Sequence, residues 1–541
     1  MPSTIRGLAV LAIVVLTCPV WGQEFRSTIM GRVTDQSQAV VPGTKIEAVQ
    51  IETGARFETV SGSDGHYTLP FLTPGTYRLS AEAPGLKRYV REGLTVSANE
   101  RLAIDIPLEV GAVAETVTVT ADTPLLQTVT GSVGKVVTSA EVNSLPLNGR
   151  TPLTMAQLWA GVLPNGGPAL NRPIDLGHTS DFSVGGTPSS TNELLVDGAP
   201  NTISSGAAAY SPPMDAVLEL RVEAFQADAA YGSTGGGTVN LVSKPGSNQY
   251  HGSVYEFNQV GKLAATNFFV NRTGQKKPFS LYNQFGANLG GPLSIPKVFN
   301  GQDKLLFHFA YEGLRQPNPL GTTSTVPTEE ERRGDFSKLL ALSSTYQLYD
   351  PFSAVREGSR IRRQPLASNV ILARLLSPIA QKYLQYYPLP NQPGGADGRG
   401  NLYTTAPQVD NFDNFMGRLD WNLDARHKMF FQARHSARSS FEKAWFSNPA
   451  RGRYKLRDSY GLLLDDVYTL NPTTVVNVRL NWTRYIEVHH LQTTGTDIIG
   501  MGFPAAVAAA SPMLILPKVT FSNFTQLGES NANTTPYDSY Q

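Results

Sequence analysis

The chain has 541 residues, with 45 Lys and Arg against 44 Asp and Glu, a net charge of +1, and 41% apolar residues. That length holds roughly two to four domains. The even charge balance excludes a polyanion partner such as nucleic acid, which needs a basic face, and the apolar content excludes a disordered chain.

Arg6 precedes an apolar run from Leu8 to Leu16, followed by Pro19, Val20, Trp21 and Gly22 and then by polar Gln23 and Glu24. The run falls short of the ~20 apolar residues that a spanning helix needs. It ends at residues suited to leader cleavage after Gly22, so residues 1–22 are expected to be an export signal. Cleavage removes Cys18, the only cysteine. Disulfides, cysteine metal sites and thiol catalysis are then not expected. No later segment is long and apolar enough for a helical span, which leaves a soluble periplasmic protein or an outer-membrane β-barrel.

Residues 25–110 read as short strands broken by turns. Gly31-Arg-Val-Thr-Asp35 leads into a turn, Val41-Pro-Gly-Thr44 marks the next, and Lys45 to Ile51 alternates. Ser63-Asp64-Gly65, Tyr67-Thr-Leu-Pro70, Leu72-Thr-Pro-Gly75, Tyr77 to Ala81 and Leu102 to Ile106 continue the series. Strands with turn signals every ~8–12 residues predict a β-sandwich. The pattern resembles the carboxypeptidase regulatory-like domain. That resemblance implies a transthyretin-like, carbohydrate-binding-like sandwich without zinc ligands or catalytic residues.

Residues 112–245 form a second unit. It opens on Glu115, Thr116, Val117, Thr118, Val119, Thr120 and Ala121, a β-prone polar stretch. Leu145-Pro-Leu-Asn148-Gly149-Arg150 follows. An amphipathic helix is expected next, with Thr151 as N-cap, Pro152 in its first turn, and Met155, Leu158, Trp159 and Val162 on one face. Asn192 to Gly198 reads as a strand ending in the Asp197-Gly198 turn, and Leu218 to Ala224 as another. Tyr231 and Gly232 lead to Gly235, Gly236 and Gly237, where backbone passes through space that no side chain fits. The glycine run is no phosphate loop, because no Gly-Lys-Ser/Thr follows it.

From residue 246 to 541, apolar and polar residues alternate. Leu305, Phe307, Phe309 and Tyr311 interleave with Leu306, His308, Ala310 and Glu312. Phe415, Gly417, Leu419, Trp421 and Leu423 interleave with Met416, Arg418, Asp420 and Asn422, and Val476, Val478, Leu480 and Trp482 with Asn477, Arg479, Asn481 and Thr483. One apolar and one polar face is the dyad expected when lipid lies outside and water inside. Trp421, Trp482, Tyr485 and Tyr311 suit interfacial girdles. A long insert, 313–411, carries Arg333-Gly-Asp-Phe336-Ser, a helix capped by Ser377 and started by Pro378, and Tyr387-Pro-Leu-Pro-Asn391. The closing stretch, Pro536 to Gln541, shows no terminal apolar-aromatic strand.

In this order and spacing the motifs resemble TonB-dependent outer-membrane receptors of the Oar-like branch. The resemblance implies a mainly β chain: a transthyretin-like β-sandwich, an α+β plug domain, and part of an antiparallel transmembrane β-barrel with 313–411 as an external loop. It makes residues 115–121 a TonB box. Residues 148–150, 197–198, 231–232 and 235–237 become structural motifs of the plug. Implied partners are a TonB-like energy-coupling protein, outer-membrane lipid and a transported oligosaccharide, peptide or iron chelate. Implied location is the outer membrane, with the sandwich in the periplasm. About eight strands can be placed where such a barrel has about 22, so a chain shorter than the whole receptor is expected. No GlyXSerXGly, HisGluXXHis or paired-carboxylate arrangement stands out, so no enzyme activity, metal or cofactor is expected. The alternative reading is a β-rich surface protein of the outer membrane that adheres or supports without transporting.

Overall fold

The computed structural model describes residues 24–111, 116–120, 133–145, 147–165, 176–224, 235–266, 268–272, 274, 277, 279–317, 320–406, 408–442, 444–446, 448–529 and 536–541. Glu115, Ala121, Pro146, Tyr231, Gly232 and the leader lie outside the described residues.

Nine strands build the N-terminal sandwich: β1 (Ser27–Asp35), β2 (Lys45–Gln50), β3 (Arg56–Val60), β4 (His66–Leu72), β5 (Gly75–Glu82), β6 (Arg88–Val96), β7 (Arg101–Ala103), β8 (Ile106–Leu108) and β9 (Thr116–Thr120). In one sheet β1 lies antiparallel to β4 and parallel to β7 and β8. The other sheet runs β3-β2-β5-β6-β9. Alternate residues face a shared core, where Ile29, Val33, Ile46, Tyr77, Leu79 and Ile104 are buried. Each aliphatic side chain so buried contributes about 1.5–3 kcal/mol. The repeated tyrosines keep their hydroxyls satisfied inside this core. Tyr77 Oη donates to the Thr73 carbonyl at 2.6 Å and Tyr67 Oη to the Ile104 carbonyl at 2.7 Å. Gly31 is bare for steric reasons, because a Cβ there would strike the Ile104 carbonyl.

The second unit is an inner sheet. Its strands are β10 (Val133–Val137), β11 (Val162–Pro164), β12 (Phe182–Val184), β13 (Glu193–Val196), β14 (Ala199–Pro200), β15 (Val217–Ala224) and β16 (Gly237–Ser243). The sheet order is β10-β15-β16-β13-β14, with β11 and β12 paired apart from it. The expected α-helix from Thr151 is instead a 3-10 helix, Pro152–Leu158, and Thr151 makes no side-chain capping bond. The buried residues, Pro152, Leu153, Met155 and Ala156, pair at spacings of three, the repeat of a 3-10 turn. Leu158 faces outward and Val162 opens β11. Two α-helices of this unit are described, Leu176–Thr179 and, earlier, Ser139–Ser144, where Thr138 and Glu141 form a reciprocal capping box.

The third unit contains β17 (His251–Val260), β18 (Leu281–Pro292), β19 (Leu305–Pro317), β20 (Leu320–Ser324), β21 (Val355–Glu357), β22 (Arg360–Arg362), β23 (Leu402–Ala406), β24 (Val409–Asn422), β25 (His427–Glu442), β26 (Arg453–Asn471), β27 (Thr474–Leu491) and β28 (Tyr537–Tyr540). Eight of these make one antiparallel sheet, β17-β18-β19-β24-β25-β26-β27-β28. Its outer strands, β17 and β28, do not pair with each other, so the sheet is open. The closing stretch forms a strand of four residues, β28, with two tyrosines but no aliphatic residue. An arginine rather than apolar alternation holds it, since Arg484 binds Asp538 at 2.7 Å across the pair.

The outward face of this sheet is apolar, and its inward face mixes buried polar residues with apolar ones such as Leu306 and Leu463. Phe309, Trp421, Leu462 and Leu480 are exposed, Leu480 at 61%, while His308, Glu312, Arg418 and Gln432 are buried, Gln432 at 0%. Apolar side chains outward and polar side chains inward is the arrangement that a lipid surround favours. Among the described residues no helix is long and apolar enough to cross a membrane, which says nothing of spanning strands.

Connections differ between the two ends. At one end β18 to β19, β24 to β25 and β26 to β27 are joined by short segments, 293–304, 423–426 and 472–473. At the other end the connections 318–408 and 492–536 are long. The insert is narrower than the expected 313–411, because ladder pairing continues to Pro317 and resumes at Val409. Val326, Tyr383, Tyr387, Leu402, Met501 and Leu516 join both long connections in one apolar cluster. Arg332 donates to the carbonyls of Tyr387 and Pro388 at 2.8 and 2.6 Å, tying the Tyr387-Pro-Leu-Pro-Asn391 stretch to the segment before Arg333.

Candidate functional site

The inner sheet sits on the polar face of the large sheet, and buried charge holds it there. Gly149 and Arg150 have φ of 77° and 51°. This left-handed pair swings the arginine toward the strands. Arg150 Nε donates to Glu312 at 3.3 Å and an Nη to Asp215 at 3.1 Å. Its guanidinium lies 4.4 Å from the Tyr255 ring centroid, and Tyr255 Oη donates to Glu312 at 2.8 Å. Gln284 Nε2 donates to the Gly149 carbonyl at 3.1 Å. The Gly149–Arg150 pair therefore gathers groups from β17, β18 and β19.

A second anchor forms at Asp197. With Gly198 it makes the two-residue turn between β13 and β14, with φ of 50° and 70°, the left-handed pair that such hairpins require. Its carboxylate is fully buried. It accepts from Ser243 N at 2.9 Å, Ser243 Oγ at 2.6 Å and Gln432 Nε2 at 2.5 Å, and faces Arg418 at 3.5 Å. Arg418 also binds Asp420 at 2.7 Å and lies 4.2 Å from the Phe430 ring centroid. Asp-Gly is the expected turn. Its links to Gln432 and Arg418, more than 200 residues away, carry no local sequence signal.

The glycine run behaves unevenly. A Cβ at Gly236 would meet Thr187 and Asn192, and one at Gly237 would meet the Glu223 carbonyl and Val184. Gly235 has ordinary van der Waals room, its nearest neighbour being Thr191 at 3.6 Å.

The sandwich meets both other units. At the short-turn end of the large sheet, Asn248 N donates to the Glu52 carbonyl at 3.0 Å, and Lys428 Nζ lies 4.3 Å from the Phe57 ring centroid. Arg26 donates to Asp465 at 2.9 Å, and Arg479 approaches the same carboxylate at 2.6 Å. Strand β15 grips the turn after β6. Glu219 accepts from Ala98 N, Arg221 donates to the Ala98 carbonyl at 2.6 Å, and Asn99 Nδ2 donates to Glu223 at 2.8 Å.

Burial pushes the Glu219 carboxyl up to about 7 from 4.5, against the pull of the Ala98 N–H and Arg221. Its folded value lies above its unfolded one. Its stabilisation is therefore complete below 4.5 and is lost as pH rises through about 7. Melting temperature is expected to fall between about pH 5 and about pH 8, and Glu219→Gln to reduce that fall. An unchanged difference in the variant would assign the dependence to other groups.

The extended stretch expected at 115–121 appears as β9. It is parallel to β6 in unbroken register, from Arg88↔Thr116 to Glu92↔Thr120. Val117 is half-buried and Thr118 exposed. Strand propensity is plain in the alternating threonines and valines, but nothing in them names β6 as the neighbour. Among the described residues no group of three or more His, Cys, Asp or Glu side chains is gathered as a metal site.

An open antiparallel sheet with apolar faces outward, holding a smaller sheet on its polar side by buried ion pairs, defines a class: outer-membrane β-barrel proteins. The chain belongs to the outer membrane beta barrel domain family, whose model matches residues 242–541, and it is located in the outer membrane. Residues 28–109 match the carboxypeptidase regulatory-like domain. The chain is similar to the TonB-dependent transporter Oar of Myxococcus xanthus, with 26% identity over 283 residues, covering 50% of this chain and 26% of that one. It thus spans about a quarter of that relative's length. Solved structures that it resembles include the outer membrane transporter YddB from Escherichia coli (TM-score 0.42, 11% identity, 66% of this chain and 39% of that chain). Another is the siderophore receptor PirA from Acinetobacter baumannii (TM-score 0.32, 13% identity, 68% and 46%). These relatives are described as transporters and a receptor.

Proposed function

We propose that the protein takes part in energy-coupled uptake across the outer membrane and has no catalytic role. In this reading residues 1–22 are an export leader, 25–110 a periplasmic sandwich, 112–245 the coupling segment and plug, and 246–541 barrel. A TonB-like partner grips the segment Glu115–Ala121 and shifts the plug. The ligand, an oligosaccharide, peptide or iron chelate, enters from the long-connection side. One observation carries the reading: an inner sheet is pinned to the polar face by Arg150 and Asp197 and is preceded by the extended strand Thr116–Thr120. Similarity to the Oar transporter supports it.

Proline at Val117 and Val119 removes two ladder donors and stops strand addition. The double variant is expected to lose at least about tenfold in affinity for the C-terminal domain of the coupling protein, and with it uptake, at unchanged outer-membrane abundance. Retained coupling-domain binding and uptake would sink the transport reading and favour the adhesive one.

A further inference from the structure

The segment read as the coupling strand is already built into a sheet. β9 is the last strand in the order β3-β2-β5-β6-β9, and among the described residues no strand lies beyond it. Its five residues hold β6 without a bulge. In a strand, successive backbone N–H and C=O groups point to opposite edges, so half of those in β9 point away from β6. β9 also lacks the usual guards of a free edge: it has no lysine, no proline and no bulge.

We propose that the sandwich is the docking platform for the coupling protein. An extended strand of the partner adds to the outer edge of β9 while β9 stays paired with β6, so that one sheet runs from β3 into the partner. This rests on the reading of Thr116–Thr120 as the coupling segment. The ordering of those residues, which a free tail undergoes on binding, is complete beforehand, and preorganisation of this kind favours association.

The anchoring makes the platform mechanically useful. Force applied to β9 reaches β15 by two routes. One is the covalent chain into β10, which pairs with β15 from Val133↔Ala224 to Val137↔Leu220. The other runs through the sandwich to Ala98 and Asn99, which Glu219, Arg221 and Glu223 of β15 hold. Both converge on one strand of the inner sheet, next to β16 with its Ser243–Asp197 bonds. A partner that displaced β6 instead would break the second route.

Cysteines at Glu92 and Thr120 test this in the intact chain, in a Cys18→Ala background. The two positions are register partners at the end of the β6–β9 pair. A disulfide is expected to form between them. The oxidised chain is expected to bind the coupling protein's C-terminal domain within about twofold of the reduced chain, each sample serving as the other's folding control. Failure to cross-link means that β9 is not docked on β6, and overturns the proposal. A loss of about tenfold or more on oxidation, restored by reductant, means that the partner displaces β6, and also overturns it. Cross-linking with no coupling-domain binding in either state, and none in the parent chain, locates the failure in the coupling-segment reading rather than in the docking, and removes the proposal with it.

Discussion

Replacing Arg150 by alanine is expected to destabilise the seating of the inner sheet by about 3–5 kcal/mol, the cost of breaking a buried ion pair by removing one partner. Glu312 is 3% exposed. After the replacement it retains the Tyr255 hydroxyl at 2.8 Å and loses its cation. Asp215 loses its contact as well, and the Tyr255 and Phe257 rings lose the guanidinium that lies between 4.4 and 5.2 Å from their centroids. Lysine keeps the charge without the planar fork, so Arg150→Lys is expected to recover only part of the loss. Adding Glu312→Gln to Arg150→Ala should restore part by another route, since it removes the stranded carboxylate. The coupling read from that double-mutant cycle isolates the pair. Urea titration followed by hydrogen exchange in residues 193–224 provides the measurement. A change under about 1 kcal/mol would place Arg150 among ordinary surface pairs.

Local signals were legible where a single strand or turn carries its own explanation. The alternation of Leu305 to Glu312 anticipated which residues face outward because side-chain direction in a strand has period two, whatever its neighbours are. Leu72-Thr-Pro-Gly75 and Ser63-Asp64-Gly65 anticipated turns because φ is restricted residue by residue. The helix expected at Thr151 failed for a related reason: Met155, Leu158, Trp159 and Val162 fit a 3.6 repeat, yet packing selects the three-residue spacing of Leu153 and Ala156. The signal for the helix at Ser139–Ser144, Thr138 with Glu141 three residues later, lay nearby and carried the stronger mechanism.

The site was legible only in part. Arg150, Asp197 and the stretch 116–120 stand out as residues, but their partners do not. Arg150 meets Glu312, Asp197 meets Gln432, and Arg26 meets Asp465, across 162, 235 and 439 positions. Which inward polar residue faces which inner-sheet turn depends on how two sheets register against each other, and no periodicity encodes that. The same holds for β9. Its composition specifies a strand, while its place beside β6 is a matter of tertiary fit.

Asp197→Ala is expected to cost about 3 kcal/mol or more, because it breaks a backbone preference and a buried charge network together. At φ of 50° the residue occupies the left-handed region, where alanine is disfavoured by roughly 1–2 kcal/mol. Its carboxylate is the acceptor for Ser243 N, Ser243 Oγ and Gln432 Nε2, and truncation removes that acceptor from a fully buried position, leaving Gln432 with Ser243 Oγ at 3.1 Å. Arg418 is less affected, since Asp420 remains 2.7 Å away. Asp197→Asn separates the two contributions. Asparagine tolerates the left-handed conformation and keeps one acceptor oxygen, so about half of the loss is expected to return. Guanidinium midpoints for the three proteins decide the matter. Equal midpoints for Ala and Asn would assign the whole effect to the charge, and a full return in Asn would assign it to the turn. An intermediate value means that this dipeptide, legible as a simple hairpin turn, also fastens the inner sheet to β25, because Gln432 is the barrel group that then retains only part of its bond.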